Sequence, residues 1–349
     1  MKKQLPTLKY LEWSEWRILA PHLRIALLIA ICFGTAVTLV GWSVGAHLLV
    51  PNERLSIALG FSAMLPVALG FFCYVVTFGV LSLLRRDRQT RAPLVWIAGN
   101  DLALLLIFVV ISYFHFNLKM WLPLINPALF DAEFMASDES FRWLIDATTR
   151  ISTAVHDLHP FRFRLYQYIF LGMFMVSFCN LAARRDEYYP QFAIGIFLVL
   201  SLGGFSYLIM PALGPFIFEP GSQAMTSENQ DLMYVNYQSV QAHGVQWVNR
   251  WGGRYFTGSL AAMPSLHVAH ATVMTYYMFK SRAALFPLFP VSWVWIVIES
   301  IALRWHYVVD DIAGVFLAVF IICLVRVLFS KTGRLHNDTA SQTALGSTD

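Results

Sequence analysis

Two short strings hold residue types able to move a phosphoryl group: Met263-Pro264-Ser265-Leu266-His267-Val268-Ala269-His270 and Arg304-Trp305-His306-Tyr307-Val308-Val309-Asp310-Asp311. In the first, Pro264 suits the first turn of a helix. The N–H groups of Ser265, Leu266 and His267 then lie at a positive dipole end without helical partners. Such an end cradles an oxyanion. The Ser265 hydroxyl adds a donor, and His267 in the same turn can hand a proton to a departing oxygen. In the second string, His306 and Asp310 stand four apart at the start of a helix and so share a face. If one ring nitrogen of His306 bonds to that carboxylate, the other is held toward substrate as a nucleophile. The cation formed on attack is then stabilised. The neighbouring Asp311 is expected to face headgroups, and His270, a turn deeper than His267, to pack by a hydrogen bond.

The elements that must position these residues are membrane spans. Hydrophobic residues make up 57% of the 349 positions and charged residues 13%, with mean hydropathy +0.57. That balance excludes an ordinary soluble domain. About 20 apolar residues cross the hydrocarbon core, and eight stretches qualify: 25–50, 55–84, 93–116, 165–183, 191–210, 264–280, 284–304 and 306–329. The sixth, opening at Met263-Pro264-Ser265, is expected to start recessed against a water-accessible pocket. The segments after even-numbered spans, Arg85-Arg86-Asp87-Arg88, Arg184-Arg185, Lys280-Ser281-Arg282 and Lys331-Thr332-Gly333-Arg334, are basic, so both termini are expected inside. Both histidine strings then fall outside, a placement reached without using them.

The expected fold is all-α, a polytopic membrane helix bundle. Residues 1–24 form a cytoplasmic interfacial segment, 25–92 two additional transmembrane helices, 93–330 a six-helix core and 331–349 a disordered tail. The aromatic, Pro-rich connections 117–163 and 211–262 are expected to cap the outer face. Asp101 in the third span is read as a structural partner to a neighbouring helix. The four cysteines lack metal-ligand spacing, and a net charge of +4 with no basic stripe argues against nucleic acid.

These strings resemble the type 2 phosphatidic acid phosphatase superfamily, with Met263 to His267 and His306 to Asp310 most similar to its inositol phosphorylceramide synthase (inositolphosphotransferase) branch. Pro264-Ser265-Leu266-His267 stands for that family's Pro-Ser-x-His and His306-x3-Asp310 for its His-x3-Asp. The resemblance implies that His306 attacks phosphorus to give a phosphohistidine, His267 protonates the leaving group and Asp310 orients His306. The chain also departs from the pattern. The Lys-x6-Arg-Pro signature is absent, and the nearest string, Lys119 through Asn126-Pro127, lies two spans early. Where the family has an arginine, Ser300 stands here. Arg304, a turn later on the same face, and Arg254 in the preceding loop are the expected phosphate clamp beside Ser265, and Arg250 with Arg254 could replace the missing first signature.

The expected protein is a plasma (inner) membrane enzyme needing no metal or cofactor. It passes a phosphoryl or phospho-headgroup from a lipid or polyprenyl phosphate to a lipid or polyol hydroxyl at the extracytoplasmic face. The alternatives are a lipid phosphate phosphatase with water as acceptor, and a non-catalytic transporter or scaffold.

Overall fold

The computed structural model describes residues 21–50, 72, 73, 76, 88–158, 165–184, 188–255 and 262–345, without the side chains of 21, 88–98, 225 and 331–345. Among these residues all regular structure is helical: α1 (Pro21–Ser43), α2 (Arg88–Ile125), α3 (Asp131–Asp138), α4 (Arg142–Leu158), α5 (Leu165–Arg184), α6 (Tyr188–Ser206), α7 (Ala224–Trp247), α8 (Leu266–Lys280), α9 (Leu288–Ala302) and α10 (Val308–Leu345). Seven of the eight expected spans coincide with α1, α2, α5, α6, α8, α9 and α10. The stretch 55–84 and the interfacial segment 1–24 lie largely outside the described residues. Among the described residues, five helices are long and apolar enough to cross a membrane: His22–Ser43, Gly99–Ile125, Leu165–Arg184, Tyr188–Ser206 and Val308–Ser330. The protein is a polytopic helical membrane protein. Helix α10 continues to Leu345, so the backbone is helical over 331–345, within the tail expected to be disordered.

The short helix α8 is the hub. Its 15 residues rise about 22 Å, less than a hydrocarbon core of about 30 Å. It is nonetheless buried on several faces, through Val268, Ala269, Ala271, Val273, Met274, Tyr277 and Met278. Protein surrounds it, packed from α5, α6, α9 and α10. Small residues set these approaches. A Cβ on Gly314 of α10 would strike the Ser265 carbonyl oxygen, and one on Gly203 of α6 would strike Leu266. Helix α1 lies against α2 with Gly34 under Phe114 and Gly41 under Trp121.

The two long connections fold over one end of the bundle. In α4 the buried stripe is polar beyond Ile145, consisting of Thr148, Ser152 and His156, while Trp143, Ile151 and Leu158 are exposed on another edge. A helix with one polar face against protein and one apolar edge outward suits a membrane interface. Helix α3 tucks beneath, with Asp131 and Asp138 both buried.

Candidate active site

At this capped end the turn between α9 and α10 meets the start of α8. Helix α8 begins later than the sequence suggests. Ser265 is its N-cap, accepting from the Val268 N–H at 3.5 Å, and Pro264 lies outside the helix. The Ser265 N–H donates to the Asp310 carbonyl at 2.9 Å, so only Leu266 and His267 keep first-turn N–H groups for a ligand. The fully buried Ser265 hydroxyl is occupied by its cap and by Asp311. It shapes the helix end rather than offering a donor to substrate.

The rings of His267 and His306 stand 6.3 Å apart between centroids. One phosphoryl group can touch both, since a near-attack nitrogen and a hydrogen-bonding acid each need an approach of about 3 Å. His267 is held between Phe170, 4.6 Å away, and Tyr166, 5.2 Å away. Asp310 approaches His306 as its spacing predicts, with Oδ2 3.6 Å from Nδ1, beyond a hydrogen bond. That ring nitrogen lies 2.9 Å from the Ala262 carbonyl, while Asp310 accepts the Tyr307 N–H at 2.8 Å. A carbonyl can only accept, so Nδ1 carries the proton and Nε2 the lone pair.

Three expectations are corrected here. Asp311 does not face headgroups. It is buried and accepts from Ser300 at 2.5 Å, so Ser300 serves a carboxylate where the family arginine would serve phosphate. Arg304 is not part of the clamp. Helix α9 ends at Ala302 and Arg304 takes φ +58, which removes it from the helical face that Ser300 presents. Its buried guanidinium lies 3.3 Å from both Asp138 and Glu219, and Glu219 in turn pairs with Arg142 at 2.7 Å. Arg254 is exposed and stacks on Tyr255 at 5.3 Å, and Arg250 does the same on Trp251 at 5.0 Å. The structure brings neither to the histidines.

Lys119 of α2 lies within electrostatic range of the histidines. Its charge acts on both His267 and His306, and its Nζ sits 5.2 Å from the centre of the Tyr207 ring. Its string, Lys119 through Asn126-Pro127, runs early in the chain yet brings Lys119 near the site. His270 packs as expected, its Nδ1 2.7 Å from the Leu266 carbonyl, and Asp101 is buried and partnered.

Sequence reasoning missed helix α3. Asp131 and Asp138, seven apart and so on one face, grip the turn that carries His306. Asp131 accepts from the Tyr307 hydroxyl and from the N–H groups of Leu213 and Gly214, all at 2.9 Å. Asp138 accepts the Val308 N–H, an orphan donor of α10, at 3.0 Å. Burial pushes both carboxyls up from the ordinary carboxylate range, opposed by these donors and, at Asp138, by Arg304. The one available signal was two acids at a two-turn interval in an otherwise weakly polar octapeptide.

The family model of the PAP2 superfamily matches residues 132–324, which include both histidine strings and helices α4 to α9 whole. The chain belongs to the PAP2 superfamily and is an enzyme of its lipid phosphatase or phosphotransferase kind. The transporter or scaffold alternative falls away. No curated protein and no solved structure matches the chain.

Proposed function

We propose that the chain is a lipid phosphotransferase of the inositolphosphotransferase type, working through a phosphohistidine on His306. The observation that carries this reading is the meeting of His267 and His306 at 6.3 Å beside Lys119. Nε2 of His306 attacks phosphorus while Nδ1 donates to Ala262, and the Asp310 charge at 3.6 Å offsets the cation that forms. His267 gives its proton to the departing oxygen and then takes one from the acceptor hydroxyl that displaces His306. Lys119 and the N–H groups of Leu266 and His267 stabilise the charge on the phosphoryl oxygens. The chain's departures from the phosphatase pattern support an alcohol as acceptor. Asn126 stands where the first signature has arginine and donates to the Leu208 carbonyl, and Ser300 is bonded to Asp311.

The donor is a membrane lipid or polyprenyl phosphate, reached at the capped end of the bundle. The basic residues at or just past the ends of α5 and α8, Arg184, Lys280 and Arg282, support placing the capped end on the extracytoplasmic side of the plasma (inner) membrane. Purified protein offered a panel of lipid phosphates, with and without candidate alcohols, tests the reading. A new phospholipid that forms only with alcohol supports it, and free phosphate in every case would make the protein a phosphatase.

A further inference from the structure

Asp311 takes no part in the steps above, yet it is buried where the elements that carry them meet. It follows Asp310 and so points about 100° away around the first turn of α10. A carboxylate removed from water is costly unless it is hydrogen-bonded. Its donors are two hydroxyls from two other elements, Ser300 of α9 at 2.5 Å and Ser265 at the start of α8. Each hydroxyl stands one step from a catalytic histidine. Ser265 is the N-cap of the helix that carries His267. A hydroxyl has a single proton, and giving it to Asp311 leaves the Ser265 lone pairs for the Val268 N–H, which is the cap itself. On the other side, the Ser300 carbonyl accepts the N–H groups of Trp305 and His306, both at 3.2 Å, so the turn that presents His306 hangs from that residue. The Ser300 hydroxyl also has the Val297 carbonyl at 2.9 Å, but the shorter bond to a charged acceptor is the stronger. Backbone contacts close the same junction. The Ser265 N–H donates to the Asp310 carbonyl at 2.9 Å, and Gly314 leaves no room for a Cβ against the Ser265 carbonyl oxygen. The charge of Asp311 also acts on the His306 ring.

We infer that Asp311 is a positioning residue for both catalytic histidines: through the hydroxyls of Ser265 and Ser300 it ties the start of α8 to the end of α9, and so sets the 6.3 Å between the rings of His267 and His306. This role rests on the phosphoryl-transfer reading of that pair. The spacing matters most where both rings act on one phosphoryl group, and a displacement of about 1 Å can cost about 10² in rate. A substrate whose leaving oxygen needs no proton calls on His306 alone.

The test uses full-length protein in detergent with Asp311→Ala, Asp311→Asn and Ser300→Ala, each rate taken per folded molecule from the unfolding transition. Turnover of phosphatidic acid should fall about 10²-fold in Asp311→Ala, and that of para-nitrophenyl phosphate by less than about tenfold. Asp311→Asn keeps an oxygen that accepts a hydroxyl and should regain most of the loss. Ser300→Ala should cost about tenfold alone and add little to Asp311→Ala, as coupled neighbours do. Unchanged turnover per folded molecule, equal losses on the two substrates or fully additive losses would each overturn the role. An Asn variant as impaired as the Ala variant, with Ser300→Ala at the wild-type rate, would assign the effect to charge and overturn it too. The crystal structure of Asp311→Ala reads the geometry without activity. The two rings should move relative to each other by about 1 Å or more. Rings left in place overturn the role whether or not the transfer chemistry holds, whereas displaced rings in a protein whose wild type turns over neither substrate fault the chemistry alone.

Discussion

Asp310→Asn removes one charge from the site while keeping its shape. The amide oxygen can still accept the Tyr307 N–H that Asp310 Oδ2 takes at 2.8 Å. The charge lost stands 3.6 Å from Nδ1 of His306. At an effective dielectric near 20, two unit charges at that spacing attract by about 4.6 kcal/mol. This bounds what the carboxylate contributes to the imidazolium of the phospho-enzyme, and corresponds to a rate loss of at most roughly two to three thousandfold. In a catalytic triad the same substitution also costs the correct tautomer, for a total of about 10⁴. Here the Ala262 carbonyl at 2.9 Å fixes the tautomer without Asp310, so that part is absent and the loss should lie between about 10² and 10³. Turnover of a lipid phosphate by folded, detergent-extracted protein measures it, with the unfolding temperature as control for the Tyr307 bond. A loss below about threefold in a protein of unaltered stability would refute the role given to the charge, and one near 10⁴ would refute the tautomer argument.

Other expectations follow from the same contacts. Lys119→Met should lower turnover by about 10²-fold or more, as loss of a group facing a developing oxyanion does, with Lys119→Arg partly active; wild-type kinetics in the Met variant would remove Lys119 from the site. Asp138→Ala leaves the buried Arg304 with Glu219 as its one remaining carboxylate partner and the Val308 N–H with nothing, so it should cost about 3 kcal/mol or more. Adding Arg304→Met should recover part of that in chemical denaturation, and strict additivity would show the pair to be uncoupled. The hydrogen bonds from Arg142 hold the Glu219 carboxyl below the ordinary carboxylate range. Its stabilising effect is therefore full above pH 4.5 and lost as pH falls through the depressed value. Glu219→Gln should melt below wild type at pH 7 and converge with it in acid, and a gap that widens in acid would contradict the pairing. On a background without the native cysteines, a cysteine at the exposed Asp146 should react with an impermeant thiol reagent in intact cells and one at Ala284 should not. The reverse would invert the topology.

The spans were legible because hydropathy over 20 residues is a property of the segment alone. The approach of Asp310 to His306 was legible because a spacing of four at a helix start keeps two side chains together, although α10 begins only at Val308 and His306 lies in the turn before it. What misled were residues at helix ends. Arg304 shares a face with Ser300 only if α9 continues, and the chain leaves the helix at Ala302. Pro264 could open α8, but Ser265 makes the better cap and the helix starts behind it. Asp311 looked like a surface acid because its partner Ser300 lies on another helix. Lys119 was discounted by its place in the chain, although chain order does not determine which helices are neighbours in a bundle. Asp131 and Asp138 have ordinary sequence surroundings, and only the packing of α3 under the turn at 304–308 shows their purpose.

The central claim is that phosphorus is carried on His306, and rapid-quench trapping tests it most directly. Protein mixed with a lipid donor labelled at phosphorus and quenched in base within milliseconds should carry an acid-labile label on the peptide containing His306. His306→Ala should carry none, and His267→Ala should still acquire label from a donor whose leaving group needs no proton. Full turnover with no protein-bound label at any quench time, or label that survives His306→Ala, would contradict the account.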